Sequence, residues 1–181
     1  LNNNLEFQLA LLKGSLVNRI PTLIKLNENL GKLKSSTGLD LELPPQATLL
    51  SDTTLKAHLK NGAIRFTDDV FFPFDTYQLG LDKESWLSLR DEQHVFTGRL
   101  LAGGDVSKKA VTGIRSFLEK QSAGLADLLG KTVIDKIVNP AGNIELPFKS
   151  TGQIGRPEVK LSEAFMNSLK RSGTEAGKDL L

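Results

Sequence analysis

The chain has 181 residues, 23 Lys and Arg against 21 Asp and Glu, a formal net charge of +2, 39% hydrophobic residues and no cysteine. That apolar fraction suits one or two packed domains and is too high for a disordered chain. The balanced charge argues against a dedicated nucleic-acid module, and the lack of cysteine excludes disulfide staples, thiolate zinc sites and cysteine nucleophiles.

A spanning helix needs about 20 consecutive apolar residues, and the longest runs, residues 9–12 and the proline-containing 70–74, are far shorter. No signal-peptide pattern opens the chain. It starts Leu1-Asn2-Asn3-Asn4 without Met, which leads to the expectation of a fragment of a longer protein with any anchor upstream.

Leu5, Leu9, Leu12, Leu16, Ile20, Leu23, Leu26, Leu30 and Leu33 recur at spacings of three and four, so residues 5–34 read as an amphipathic helix with Asn4 as a plausible N-cap. Pro21 should kink or divide it, and Gly31 and Gly38 weaken its end. The repeat is too short and broken for a coiled coil, and a helix lying on a sheet is preferred. Residues 35–53, with Ser35-Ser36-Thr37-Gly38 and Pro44-Pro45, read as irregular.

Residues 54–103 read as an antiparallel meander of six short strands. Leu55, Ala57 and Leu59 alternate with Lys56, His58 and Lys60, the period of a half-buried strand. Asn61-Gly62 is a strong hairpin signal, since both residues tolerate positive φ. Ile64 and Phe66 return, Asp68-Asp69 turns, and residues 70–74 follow with Pro73 marking an edge or bulge. Residues 77–82, 86–90 and 95–101 complete the set, with Asp91-Glu92-Gln93 as a turn. No crossover helix separates these strands, so the sheet should be antiparallel.

Residues 105–138 read as a second helix on Val111, Ile114, Leu118, Leu125, Leu128, Ile134 and Ile137, capped by Asp105 or Ser107. Its three glycines each cost up to ~1 kcal/mol in a helix interior and invite a break. Residues 139–143 stop it, residues 144–152 form a last strand, and 158–161 a short extended piece. Residues 162–181 could form a short helix, with a frayed and partly disordered end.

Few residues suggest chemistry. His58 and His94 lack the converging ligands a metal needs and read as structural. Asp68-Asp69 and Asp91-Glu92 sit in wet turns, where burial cannot tune them for acid–base work. Ser35, Ser36 and Ser107 have no nucleophile motif around them. Leu101-Ala102-Gly103-Gly104-Asp105 lacks both the P-loop ending and the dinucleotide glycine spacing. Lys108, Lys109, Arg115 and Lys120 read as a solvated helix face, with anionic headgroups as the sharper option. Phe66, Phe71, Phe72, Phe74, Tyr77, Trp86 and Phe96 fall close together in the meander. They suit either a core beneath the helices or an apolar face that holds an apolar ligand.

The closing segment carries Gly142, then Leu146-Pro147-Phe148, Gly152 and Pro157-Glu158-Val159, and an earlier hairpin runs from Leu55 through Asn61-Gly62 to Phe66. This order of elements, over residues 50–161, resembles the C-terminal region of AsmA-like proteins. Two features depart from the family pattern: Ala57-His58 stands where a glycine is frequent, and residues 70–74 are unusually aromatic. The resemblance implies a curved sheet with an apolar groove, in a bacterial periplasmic protein anchored in the inner membrane and linked to phospholipid transport and outer-membrane homeostasis.

The expected fold is α+β, a curved antiparallel meander with amphipathic helices before and after it. Residues 1–38 would be a helical segment, 39–161 the sheet domain with helix 105–138 inserted, and 162–181 the tail. Leu55, Leu59, Ile64, Phe66, Phe72, Phe74, Leu79, Leu81, Leu87 and Leu89 are the residues expected to face phospholipid acyl chains. No catalytic residue, metal or cofactor is expected, and no nucleic acid. Partners would be upstream repeats of the same chain and an outer-membrane or envelope protein. The alternative is an adaptor or capping module carrying no lipid, favoured if Leu9, Leu16 and Leu23 cover Phe66 and Phe72.

Overall fold

A computed structural model describes residues 4–121, 134, 135 and 137–162. The strands are β1 (Leu5–Leu11), β2 (Leu16–Asn18), β3 (Gln46–Thr48), β4 (Thr53–Lys60), β5 (Ala63–Phe66), β6 (Val70–Pro73), β7 (Tyr77–Leu81), β8 (Trp86–Ser88), β9 (Gln93–Ala102), β10 (Ile144–Gln153) and β11 (Arg156–Leu161). The helices are α1 (Pro21–Thr37) and α2 (Gly104–Gln121).

Nine strands form one open antiparallel sheet in the order β1-β4-β5-β8-β9-β10-β11, with β7 beside β9 and β6 beside β7. β5 and β6 act as one interrupted strand, as do β7 and β8, because the far half of β9 pairs β7 and its near half pairs β8. The polypeptide bulges out between them at residues 67–69 and 82–85, where the Asp69 carboxylate accepts the Lys83 N–H at 2.7 Å. The six strands expected between residues 54 and 103 are present, and Asn61 and Gly62 turn their hairpin at φ 53° and 77°. β10 and β11 replace the shorter pieces expected over 144–152 and 158–161.

The helical expectation for residues 5–34 is corrected in its first half. Residues 5–11 are a strand paired with β4 over seven positions, so Asn4 caps no helix and the first half of the expected helix is an edge strand of the sheet. Pro21 opens α1 instead of kinking it. Its missing N–H falls where a helix has no acceptor to offer, and its fixed φ already suits the first turn. Gly38 closes α1 in the left-handed conformation, its N–H bonded to the Lys34 carbonyl at 3.0 Å. Residues 39–49, expected to be irregular, contain β3 and place Leu39, Leu41, Leu43 and Leu49 in the core. The second helix is described over Gly104–Gln121; its expected continuation through 122–133 and 136, and the tail 163–181, lie outside the described residues.

The core lies between one face of the sheet and a layer made of α1, α2 and residues 39–49. Leu26, Leu30 and Leu33 of α1 and Ala110 and Ile114 of α2 meet Leu100, Ile144, Leu146 and Phe148 of the sheet. Ser107 ties α2 to this face: its hydroxyl donates to the Ala102 carbonyl and accepts the Ile144 N–H at 2.9 Å. The two helices approach at Gly38 and Gly113, where a Cβ on Gly38 would collide with Phe117.

Candidate functional site: an apolar sheet face covered over one half

Residues directly opposite in an antiparallel pair share a face, and the register here draws one continuous apolar face across the sheet. Leu9 stands opposite Leu55, Leu59 opposite Ile64, Ile64 opposite Leu87, and Leu87 opposite His94. On the other branch Val70 faces Leu81, Phe72 faces Leu79, and Leu79 faces Leu100. The reverse face carries the polar set, with ion pairs Lys56–Asp68 at 3.2 Å, Arg65–Glu84 at 3.3 Å and Arg99–Glu145 at 3.5 Å. Arg99 also lies 5.6 Å from the ring centre of Phe71 on this side.

The helices cover only part of the apolar face. Over β7, β9, β10 and β11 the side chains are buried under α1 and α2. Over β1, β4, β5 and β8 no helix of the described residues lies on that face. There Leu5 and Leu9 are 57% and 51% exposed, and Phe7, Leu55, Leu59, Ile64 and Leu87 are half-buried, with Phe96 of β9 beside them. Phe66 is buried by its neighbours within this sector and stacks on Phe96 at 6.1 Å between ring centres.

A polar trio marks the edge of the cover. The first turn of α1 sets Thr22 Oγ1 3.2 Å from Ser150 Oγ, and Ser150 Oγ lies 2.7 Å from His94 Nε2. All three are buried, and His94 Nδ1 has no hydrogen bond of good geometry. Burial pushes the His94 pKa below the ordinary value of 6.5, the Gly152 backbone offsetting part of that shift. Desolvation favours the neutral imidazole. The serine–histidine contact lies under the helix with no carboxylate behind the imidazole among the described residues, so it reads as a structural core contact.

A second hollow, of about 430 Å³, lies between α1 and the β2–β3 ribbon, walled by Ile20, Leu23, Ile24, Pro44, Pro45 and Tyr77. The Tyr77 hydroxyl is buried without a partner, and desolvation, then the Asp75 charge, pushes its pKa up to about 12. Among the described residues no group of three His, Cys, Asp or Glu could hold a metal ion, and no helix is long and apolar enough to cross a membrane.

All ten residues expected to face a ligand belong to the apolar side, but they divide. Leu55, Leu59, Ile64, Phe66 and Leu87 lie in the uncovered sector, and Leu89, 55% exposed, follows at its rim. Phe74 and Leu79 are core residues, and Phe72 and Leu81 pack against that core; the helix layer occupies the place given to a ligand. Of the three leucines posed as a cover, Leu9 stands on the sheet itself, Leu16 is exposed on β2, and Leu23 packs on the core. Phe96, one of the meander aromatics, belongs to this face, as do Leu5 and Phe7, which a helical reading of residues 5–34 does not place there. The signal for those two is the alternation Leu5, Phe7, Leu9, Leu11 against Glu6, Gln8, Ala10.

Comparison of the chain with protein-family models, with curated proteins and with solved structures finds no match.

Proposed function

We propose that the uncovered sector of the apolar face binds the acyl chains of phospholipid, in the manner implied by the resemblance to AsmA-like C-terminal regions. The observation that carries this reading is the run of apolar side chains on β1, β4, β5 and β8. They lie in register on one face, and the described helices α1 and α2 leave them exposed or half-exposed. Contiguous exposed apolar surface on a monomer is a mark of a binding surface. Shielding about ten methylenes there would return ~8 kcal/mol before ordering costs, the scale of micromolar binding.

The covered half supports a terminal placement. A face open at the β1 side and shut by α1 and α2 at the β11 side has the form of a groove's closed end. The chain is then the end module of a longer inner-membrane-anchored periplasmic protein that serves phospholipid transport to the outer membrane, and it performs no catalysis. The same helix cover is what an adaptor or capping module would need, so that reading stands second.

Native mass spectrometry of the purified chain, with lipid extraction from the same sample, tests the proposal. Copurified phospholipid that is lost in Leu59→Asp and Leu9→Asp, both still folded, is the expected result. A lipid-free chain that also takes up no phospholipid from mixed micelles would overturn it in favour of the cap.

A further inference from the structure

The two edges of the sheet are built differently. β11 carries Arg156, Pro157, Glu158 and Lys160, and α1 packs along it, Asn29 Nδ2 donating to the Val159 carbonyl at 2.6 Å. Charges, proline and a covering helix are the devices that stop a strand from pairing further. β1 has neither proline nor a covering helix among the described residues, and a single charge. Among the described residues it pairs β4 alone, over seven unbroken positions. It holds no Lys, Arg or Pro and one charge, Glu6, and no residue in it has positive φ.

We propose that β1 is a docking edge for a second copy of this chain, the two β1 strands pairing antiparallel about a two-fold axis at Gln8. Full overlap of Leu5–Leu11 with its own copy sets Gln8 opposite Gln8, Glu6 opposite Ala10, Phe7 opposite Leu9 and Leu5 opposite Leu11. No like charges meet. Leu5, Phe7, Leu9 and Leu11 each meet an apolar residue on the same face, so the edge is self-complementary, as a two-fold interface requires. Leu5 and Leu9, 57% and 51% exposed in the single chain, gain neighbours, and the open sectors of the two copies join into one surface. A strand pair of this length is small beside the roughly 1,200 Å² of a stable complex, so the association is weak and concentration-dependent. The inference stands on the edge alone and does not require that lipid binds; in this 181-residue chain a second copy takes the place that the resemblance gives to upstream repeats.

Sedimentation velocity of the 181-residue chain in detergent-free buffer, from low micromolar to about 500 µM, reads it directly. The mass should climb toward that of a dimer. Gln8→Glu places two carboxylates on the axis while facing Lys56 within its own sheet, so the fold is kept and association should weaken roughly fivefold. Mixing Gln8→Glu with Gln8→Lys should restore the dimer as a heterodimer. The natural chain has no cysteine, so Gln8→Cys supplies a single thiol. It should form a disulfide dimer under mild oxidation faster than Lys13→Cys. A chain monomeric over the whole range, a dimer indifferent to Gln8→Glu, or equal cross-linking at positions 8 and 13 would each overturn the proposal.

Discussion

Leu59 and Leu79 point from the same face of one sheet, yet a charge at each has opposite consequences. Leu79, 8% exposed, sits among Leu100, Phe74 and the helices, so Leu79→Asp buries an unpaired carboxylate and should cost more than ~3 kcal/mol, enough to unfold a marginal domain. Leu59 is half-buried with no helix of the described residues above it, and Leu59→Asp should stay within about 1 kcal/mol of the parent in urea titrations. Phe148, buried where α1 meets β10, should lose ~3–5 kcal/mol on truncation to Ala. His94 gives a pH signature. Its folded pKa is depressed by burial, so the unfolded chain binds the proton more readily. Stability is therefore fully present above about pH 6.5 and falls as pH drops from there toward the folded pKa. Urea midpoints across pH 4.5–8 should show this slope in the parent and a shallower one in His94→Gln.

Single elements show why some of the fold was legible and some was not. The meander could be read because Leu55-Lys56-Ala57-His58-Leu59-Lys60 alternates strictly and Asn61-Gly62 admits the left-handed turn that follows. β1 was misread because a spacing of four, Leu5 to Leu9, satisfies a helix and a strand equally. Phe7 and Leu11 break that tie toward the strand, and Gly14, at φ 85°, ends the extended run. Pro21 inside a helical spacing predicts a kink, whereas at the first helical position it is a start signal. The face parity of β4 to β9 followed from alternation, but which part of that face the helices occupy did not. That depends on where α1 and α2 dock, through Thr22 on Ser150 and Ser107 on Ile144, contacts between residues far apart in the chain. The helix contact itself can be tested. Gly38→Ala needs a left-handed backbone and puts a methyl group into Phe117, so it should destabilise the chain by at least ~1 kcal/mol in thermal or urea unfolding, without changing the sheet signal of circular dichroism.

At the scale of the whole molecule, one apolar sheet face serves two ends. Under α1 and α2 it is the core that holds the domain together; beyond the Thr22–Ser150–His94 boundary the same face continues through β8, β5, β4 and β1, uncovered by the described helices. Lipid binding is assigned to the second part alone, so the division between the halves is the central claim. Photo-crosslinking with a phospholipid bearing a photoreactive group on its acyl chain, followed by peptide mapping, tests that division most directly. Labels confined to peptides of β1, β4, β5 and β8, and abolished by Leu9→Asp with Leu59→Asp, are the predicted result. Labels concentrated on α1, on the Ile20–Ile24 hollow or on the reverse face, or none at saturating lipid, would contradict the account.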